Sequence, residues 1–269
     1  MKYTFIAQTD TGRVRDNNED AVAFDEATRL CVLADGMGGY NAGEVASTMA
    51  ADLILEDLSR WLARPAQAAV ALDIRAAIDD AVDGANQAIL EASLANPDWA
   101  GMGTTLVVGV FQENRLLLAH IGDSRCYRLR RGRLRQLTKD HTLLQEQLDA
   151  GLLTPKQAKT SPHRNLLTRA LGVEPTMHAE LTEQEVQPGD VYLMCSDGLT
   201  DMVGGAEIAK LLGLKIPLEQ RAQRLIQAAN AYGGRDNITV LLVKVEANQS
   251  ESSLVTRWLK KLKYLKHNQ

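Results

Sequence analysis

The sequence predicts an α+β protein whose strands and helices stack in layers. Short apolar runs bounded by Gly, Asp or Asn recur along the chain and are typical of buried strands. Two long stretches carry apolar residues at intervals of three and four, as in a helix with one buried face. These stretches follow one predicted strand and precede a series of antiparallel strands. With 269 residues and 45% hydrophobic composition, the chain can bury a large core in one domain or two.

The predicted strands are rich in leucine and β-branched residues and end at turn formers. They cover residues 30–34, 105–110, 116–121, 125–130, 191–196 and 238–245. Residues 112–114 separate two of these strands and are typical of a hairpin turn. Arg131-Gly132 marks a second turn, before 133–137.

The two long helices are predicted over 43–62 and 74–94, with a break at Arg64-Pro65. Shorter helices are expected over 142–150, 155–159, 207–212 and 218–231. Thr154 followed by Pro155 fits an N-cap with proline in the first helical position.

Residues 1–246 contain no linker or shift in composition, so we expect them to form one domain. Residues 247–253 are polar and are predicted to tether a basic amphipathic tail that completes 247–269. In that tail, Leu254, Trp258, Leu262 and Leu265 fall on one helical face, with lysines mostly elsewhere. This pattern is typical of a helix at an anionic lipid surface. The tail could equally pack on the body of the protein or bind a partner.

Composition excludes several classes of protein. A net charge of −4 argues against nucleic acid as a partner. Cys31, Cys126 and Cys195 lie in apolar runs without ligand spacing, which predicts buried free thiols in a reducing compartment and no zinc site. There is no signal peptide pattern and no apolar stretch of about 20 residues. We therefore expect a cytoplasmic protein, with peripheral contact at the inner membrane face left open.

Two apolar runs end in an Asp-Gly pair, at Asp35-Gly36 and Asp197-Gly198. A strand that ends in this way delivers a carboxylate to the sheet edge, and glycine lets the backbone turn sharply. The stretches 17–20, 122–125 and 235–237 add acidic residues, so we predict one convergent cluster. Ionised carboxylates at short range repel one another and raise one another's pKa. A bound Mg²⁺ or Mn²⁺ ion would offset this repulsion, and both ions prefer oxygen ligands.

Seven motifs that contain these acidic residues follow one another in a fixed order. They are TDTGRVRDNNED at 9–20, ADGMGG at 34–39, GTT at 103–105, IGDSR at 121–125, TKDH at 138–141, SDG at 196–198 and GRDNIT at 234–239. Together they resemble the bacterial branch of the metal-dependent protein phosphatases of the PP2C type, also called PPM. The resemblance spans nearly the whole of 1–246 and does not reach the tail.

The resemblance implies a four-layer α-β-β-α sandwich, in which two central, mainly antiparallel sheets are flanked by pairs of helices. It also implies hydrolysis of phosphoserine and phosphothreonine in proteins by a water or hydroxide that bridges two Mn²⁺ or Mg²⁺ ions. The implied partners are phosphorylated proteins and a bacterial Ser/Thr kinase that the phosphatase opposes.

Carried over by position, the resemblance assigns the central metal ligands. Asp35 is expected to bridge the two metals, and the Gly36 carbonyl is expected to complete one coordination shell. Asp197 and Asp236 are expected to hold the first metal.

The remaining site residues follow from the same resemblance. Asp20 is expected to serve the second metal directly or through water, with Glu19 in support. Asp123 and Asp201 match positions that hold a third, weaker metal in several relatives. Asp201 shares a face with Asp197 if a helix starts at Leu199. Arg15 matches the phosphate-binding arginine, whose planar fork suits two phosphate oxygens.

Several alternatives stay open at this stage. Met37 stands where some relatives have a histidine that could act as general acid, and a metal-bound water is the substitute. Residues 152–167 correspond to a flap in the family and could either screen substrates or merely connect elements. A silent phosphoprotein-binding module would be expected to lose one of the three central aspartates, and all are present. Metal-dependent attack on another phosphate ester, such as a nucleotide or sugar phosphate, is a third alternative. No heptad repeat demands an oligomer, so we expect a monomer.

Overall fold

The computed structural model describes residues 1–39, 42–64, 71–158 and 166–247 of the chain. Within this part the strands form two antiparallel sheets. The strands are β1 Lys2–Asp10, β2 Asp20–Asp25, β3 Leu30–Met37, β4 Gly103–Thr104, β5 Leu106–Gln112, β6 Arg115–Ile121, β7 Arg125–Arg130, β8 Arg133–Gln136, β9 Glu180–Glu185, β10 Val191–Cys195 and β11 Ile238–Glu246. The first sheet has the order β1-β11-β10-β7-β8. The second has the order β2-β3-β5-β6-β9, with β4 paired to β3.

Helices cover the outer face of each sheet. They are α1 Ala42–Leu62, α2 Ala71–Ala95, α3 Leu143–Asp149, α4 Pro155–Ala158, α5 Asp197–Thr200, α6 Gly205–Leu212 and α7 Leu218–Ala231. The long helices α1 and α2 bury Ile54 and Ile78 in one apolar cluster with Val108 of the second sheet. The helices α6 and α7 bury Ile208 and Leu225 with the first sheet. Each sheet therefore has one face packed against helices.

A third apolar cluster lies between the two sheets. Phe5 from β1, Phe111 from β5 and Tyr192 from β10 are almost completely buried there. The rings of Phe111 and Tyr192 meet edge to face with centroids 5.2 Å apart, a preferred aromatic geometry. Helices, sheet, sheet and helices thus form four layers, and the predicted fold class is confirmed.

The structure lengthens some predicted elements, shortens others and adds strands that the sequence pattern did not reveal. The helix predicted at 218–231 and the strand predicted at 125–130 have the observed bounds. The strands β1, β2, β4 and β9 were not predicted. All six residues of β2 are only half-buried, and β9 contains three glutamates, so neither shows a clear apolar alternation. Pairing to β3 and to β6 stabilises these two strands instead.

The three cysteines are free and buried, as expected. No helix in the described part of the chain has the length and apolar character needed to span a bilayer. The proposed tether and tail lie outside the described residues except for Ala247, so the boundary at 246 stays a prediction.

Candidate functional site

An acidic cleft of about 470 Å³ lies where several strands end at one edge of the sandwich. Asp35 and Gly36 lie near the end of β3, which continues to Met37 and so does not stop before the Asp-Gly pair as predicted. Asp197 follows β10 after Ser196, and Asp236 shortly precedes β11. The residues that line the cleft are Arg15, Glu19, Asp35, Gly36, Met37, Gly38, Thr105, Asp123, Leu166, Leu167, Asp197 and Asp236. The fold therefore brings carboxylates that are far apart in the sequence into one cleft.

Asp20 and Asp35 face each other across the antiparallel pair of β2 and β3. Like charges in directly opposed positions destabilise a sheet. Burial, followed by the charge of Asp20, raises the pKa of Asp35 well above its usual range. Burial raises the pKa of Asp20 to about 6. A cation nearby would stabilise the form in which both carboxyls of this pair are ionised.

One oxygen of Asp20 lacks a partner. Its Oδ2 accepts a hydrogen bond of 2.7 Å from the Ser196 hydroxyl, but Oδ1 is buried without a hydrogen bond among the described residues. A buried carboxylate oxygen in this state is costly. The acidic donor set and this open oxygen fit a hard divalent cation that binds through oxygen.

Asp197, Asp123 and Asp201 form the adjoining part of the acidic region. Burial, then the charges of Asp123 and Asp236, raise the pKa of Asp197. Burial and the charge of Asp140 raise the pKa of Asp123 to about 6. All three line a neighbouring cleft of about 350 Å³. The helix α5 begins at Asp197 and not at Leu199 as expected, yet Asp201 still follows one turn after Asp197.

The guanidinium of Arg15 is a positively charged group at the rim of the cleft. Its Nη2 donates a hydrogen bond of 2.8 Å to Oδ2 of Asp236, and its side chain is 48% exposed. Glu19 lines the same cleft, where burial raises the pKa of its carboxyl. The guanidinium thus lies beside the carboxylates and is accessible to an anionic ligand from solvent.

Two glycines allow the backbone to close around the site. A Cβ on Gly36 would collide with the carbonyl oxygen of Gly43 and lie 2.7 Å from that of Glu19. The amide of Gly36 donates to the Glu19 carbonyl at 3.0 Å. A Cβ on Gly198 would collide with the Asn237 carbonyl. The two Asp-Gly pairs therefore need glycine for close approach of backbone segments.

Asn237 is an organising residue that the sequence reasoning missed. Its Nδ2 donates to the carbonyls of Thr11 at 3.0 Å and Asn17 at 2.8 Å. Its Oδ1 accepts the amide of Glu19 at 2.8 Å. A side chain with 5% exposure thus joins the Arg15 loop, the start of β2 and β11. Its place directly after Asp236 in the GRDNIT motif was the available signal.

Threonine and serine hydroxyls fix the other loops. The Oγ1 of Thr105 accepts the Asp35 amide at 3.0 Å and lies 2.8 Å from the Ser124 hydroxyl. Ser196 accepts the amide of Thr239 at 3.0 Å while it binds Asp20. The Thr105 contacts join the end of β3 at Asp35 to the turn of Asp123, and the Ser196 contacts join Asp20 to β11.

A second group of potential ligands, His120, His141 and Glu180, lies behind the Asp123 turn. The Gly122 amide donates to Nδ1 of His141 at 3.2 Å, so the proton of this neutral ring is on Nε2. That Nε2 lies 3.5 Å from Glu180 and 3.4 Å from the Arg169 guanidinium. A metal on Nε2 would require loss of this proton beside a cation. We therefore assign the group as a hydrogen-bonded network.

His141 gives the fold a defined pH dependence. Burial, the neighbouring His120 and the Arg169 cation lower the pKa of His141 to about 4, against 6.5 for a free histidine. Between these two pKa values the unfolded state binds a proton at His141 more readily than the folded state does. The stability that the neutral, buried imidazole contributes is therefore lost as the pH falls. We expect the stability difference between the wild type and His141→Gln in urea with EDTA to shrink between about pH 7 and about pH 5. An unchanged difference would contradict this role.

Comparisons with known proteins agree with this geometry. Residues 9–242 match the family model described as Protein phosphatase 2C. The serine/threonine protein phosphatase PstP of Mycobacterium tuberculosis is 46% identical over 247 residues, which are 90% of this chain and 45% of PstP. The chain thus spans less than half the length of that relative. The serine/threonine phosphatase stp of Listeria monocytogenes is 40% identical over 90% of this chain and 96% of its own length.

A solved structure resembles this chain as well. The catalytic domain of PstP in complex with 2 manganese ions superposes with a TM-score of 0.78 and 41% identity, over 91% of this chain and 99% of that one. The fold, the ordered motifs, the acidic cleft and the match over residues 9–242 lead to one assignment. The chain belongs to the protein phosphatase 2C family.

Proposed function

We propose that this chain is a metal-dependent protein phosphatase that hydrolyses phosphoserine and phosphothreonine in proteins. The observation that carries the proposal is the buried, mutually repelling set of carboxylates beside an accessible guanidinium. Divalent cations held by such a set, together with the guanidinium, would surround a phosphate dianion with positive charge on several sides. The relatives PstP and stp are named serine/threonine phosphatases, and this supports the substrate class.

We assign the oxygen ligands of the cleft to two principal cations, Mn²⁺ or Mg²⁺. We assign Asp35 to both, with the Gly36 carbonyl in one coordination shell. Asp197 and Asp236 would hold the first cation. The open Oδ1 of Asp20 supports a role at the second.

The weaker assignments use the adjoining cleft and the rim. Glu19 is within the main cleft and would support the second cation. Asp123 and Asp201 line the neighbouring cleft and would hold a third, weaker cation. That the PstP structure contains 2 manganese ions supports the main pair.

When bound, the two cations neutralise the phosphate and lower the pKa of the attacking water. Arg15 would bind two phosphate oxygens through its planar fork, which the contact with Asp236 holds at the rim. Thr105 and Asn237 would keep the loops of the site in register. Met37 lines the cleft and has no proton to donate, so it does not act as general acid.

The biological setting is also part of the proposal. We infer that the substrates are phosphorylated proteins and that the chain opposes a Ser/Thr kinase in the cytoplasm as a monomer. The basic tail suggested peripheral contact with a membrane, and it lies outside the described residues.

Arg15→Ala should raise the KM for a phosphopeptide by about tenfold, with a smaller change in kcat, because the arginine binds the phosphate of substrate and transition state alike. Steady-state kinetics with Mn²⁺ test this. Arg13→Ala is the matched control, since Arg13 lies in the same loop and does not line the acidic cleft. An equal effect of both variants would show that the loop, and not the Arg15 guanidinium, is responsible.

The decisive assay follows phosphate release from a phosphothreonine peptide with Mn²⁺ and with excess EDTA. We expect turnover that requires the metal. Full activity in EDTA would refute metal catalysis. Mn²⁺ binding without turnover of any phosphopeptide would favour a silent binding module, and faster hydrolysis of a nucleotide or sugar phosphate would show that the substrate class is wrong.

A further inference from the structure

An unusual concentration of arginine lies on the hairpin of β7 and β8, outside the acidic cleft. In the antiparallel register, Arg130 is directly opposite Arg133, and Arg128 is directly opposite Arg135. Because side chains alternate along a strand, these four arginines share one face of the hairpin. Directly opposed like charges destabilise a strand pair. Two repelling arginine pairs thus lie side by side in a protein whose net charge is −4.

Acidic neighbours compensate only the β7 half of this face. The buried carboxylate of Asp190 accepts two hydrogen bonds of 2.7 Å from Arg130, and Glu185 lies 3.8 Å from the same guanidinium. Among the described residues, the hydrogen bond of Arg128 is to the backbone carbonyl of Glu185, at 3.3 Å. Its Nε is shielded from solvent and has no hydrogen-bond acceptor within the described part of the chain.

The β8 half carries its charge without compensation. Arg133 and Arg135 are exposed and form no ion pair with any described residue. Arg131 at the hairpin tip is exposed as well. The face therefore offers planar guanidinium forks, two residues apart, to an external anion.

The backbone of β8 identifies the kind of partner. This strand ends the first sheet and pairs only with β7, so its outer edge is free among the described residues. A free edge can accept an added strand from another polypeptide through main-chain hydrogen bonds. Acidic side chains at every second position of that added strand would lie beside Arg133 and Arg135.

The direction of β8 leads from this face to the catalytic region. Gln136, the last residue of β8, donates to Asp140 at 3.1 Å. Asp140 lines the smaller cleft together with Asp123. A polypeptide on the β8 edge would therefore extend toward the acidic site.

We propose that the β8 edge is a docking site for an acidic, strand-forming segment of a protein partner, which is held by Arg133 and Arg135. A nucleic acid or lipid surface is disfavoured, because neither supplies a strand for the free edge. The proposal concerns binding and does not depend on catalysis.

Direct binding tests the proposal with a fluorescent peptide of four Glu-Val repeats, measured by anisotropy on the full chain. We expect binding to the wild type and a loss of at least about tenfold in affinity for R133E/R135E. The matched control K215E/R224E makes the same change in net charge at exposed residues elsewhere and should bind normally. A Glu-Val peptide of the same length that is N-methylated at every backbone amide has the same charge but cannot donate strand hydrogen bonds, and it should bind more weakly.

The double variant also separates loss of binding from loss of folding. R133E/R135E places carboxylates opposite Arg130 and Arg128 and so replaces two repulsive pairs with attractive ones. Its thermal midpoint should equal or exceed that of the wild type.

Three results would overturn the proposal. The first is no binding of the Glu-Val peptide to the wild type at about 1 mM, the weak end of specific association. The second is equal loss of binding in both double variants. The third is tighter, arginine-dependent binding of an oligothymidylate or of phosphatidylserine vesicles.

Discussion

Asp35→Asn should reduce phosphopeptide turnover by about a thousandfold or more, because it removes the ligand assigned to both cations. The same substitution should stabilise the metal-free protein. Asp35 is buried beside Asp20 and Asp197, and the pKa of its carboxyl is raised by burial and by these charges. Its ionised form therefore costs free energy in the folded state, and asparagine removes that charge without a large change in volume.

The stability that metal-free Asp35→Asn gains over the wild type should depend on pH in one direction. The pKa of Asp35 is higher in the folded state than the usual carboxyl value. The free-energy cost of burying its charge is therefore fully present at pH values above the pKa of the folded state. The cost disappears as the pH falls toward the usual carboxyl range. Urea unfolding in EDTA should show that Asp35→Asn is more stable than the wild type near neutral pH, by a margin that narrows on acidification.

Asp52→Asn is the control for this experiment, because Asp52 is exposed on α1. It should leave both turnover and stability nearly unchanged. A metal-free Asp35→Asn protein less stable than the wild type would mean that Asp35 is satisfied by protein contacts alone.

Gly36→Ala should destabilise the fold by about 3 kcal/mol or more, since overpacking against rigid backbone is relieved only by moving that backbone. The added Cβ would meet the carbonyls of Gly43 and Glu19, at the junction of β3, α1 and the loop before β2. Any protein that still folds should bind Mn²⁺ more weakly. Thermal unfolding and Mn²⁺ titration measure the two effects.

Gly39→Ala provides a matched comparison four residues beyond Asp35. A Cβ at Gly39 would have no neighbour within 4 Å among the described residues. This variant should be close to the wild type in stability. If both alanine variants were equally stable, the tight approach at Gly36 would be wrong.

The acidic site could be predicted because its signals are local. An apolar run followed by Asp-Gly is recognisable at Asp35 and at Asp197 without knowledge of the fold. The structure places both residues, together with Asp236, in one cleft. Their roles as metal ligands stay predictions that the experiments above test.

The parts that could not be predicted depend on tertiary contacts. The strand β9, Glu180–Glu185, has little apolar content and is stabilised by pairing with β6. Asn237 and Ser196 are buried polar residues whose partners come from distant loops. The repulsive arginine pairs also require the register of β7 and β8, which the sequence suggests only through the Arg131-Gly132 turn.

The most direct test of the shared-cation site is calorimetric titration of the metal-free chain with Mn²⁺, in parallel with Asp35→Asn. We expect the wild type to bind two ions and to gain thermal stability as they bind, while Asp35→Asn loses at least one ion and most of that gain. Absence of Mn²⁺ and Mg²⁺ binding in the wild type, or an unchanged titration of Asp35→Asn, would contradict a cation site built on this carboxylate.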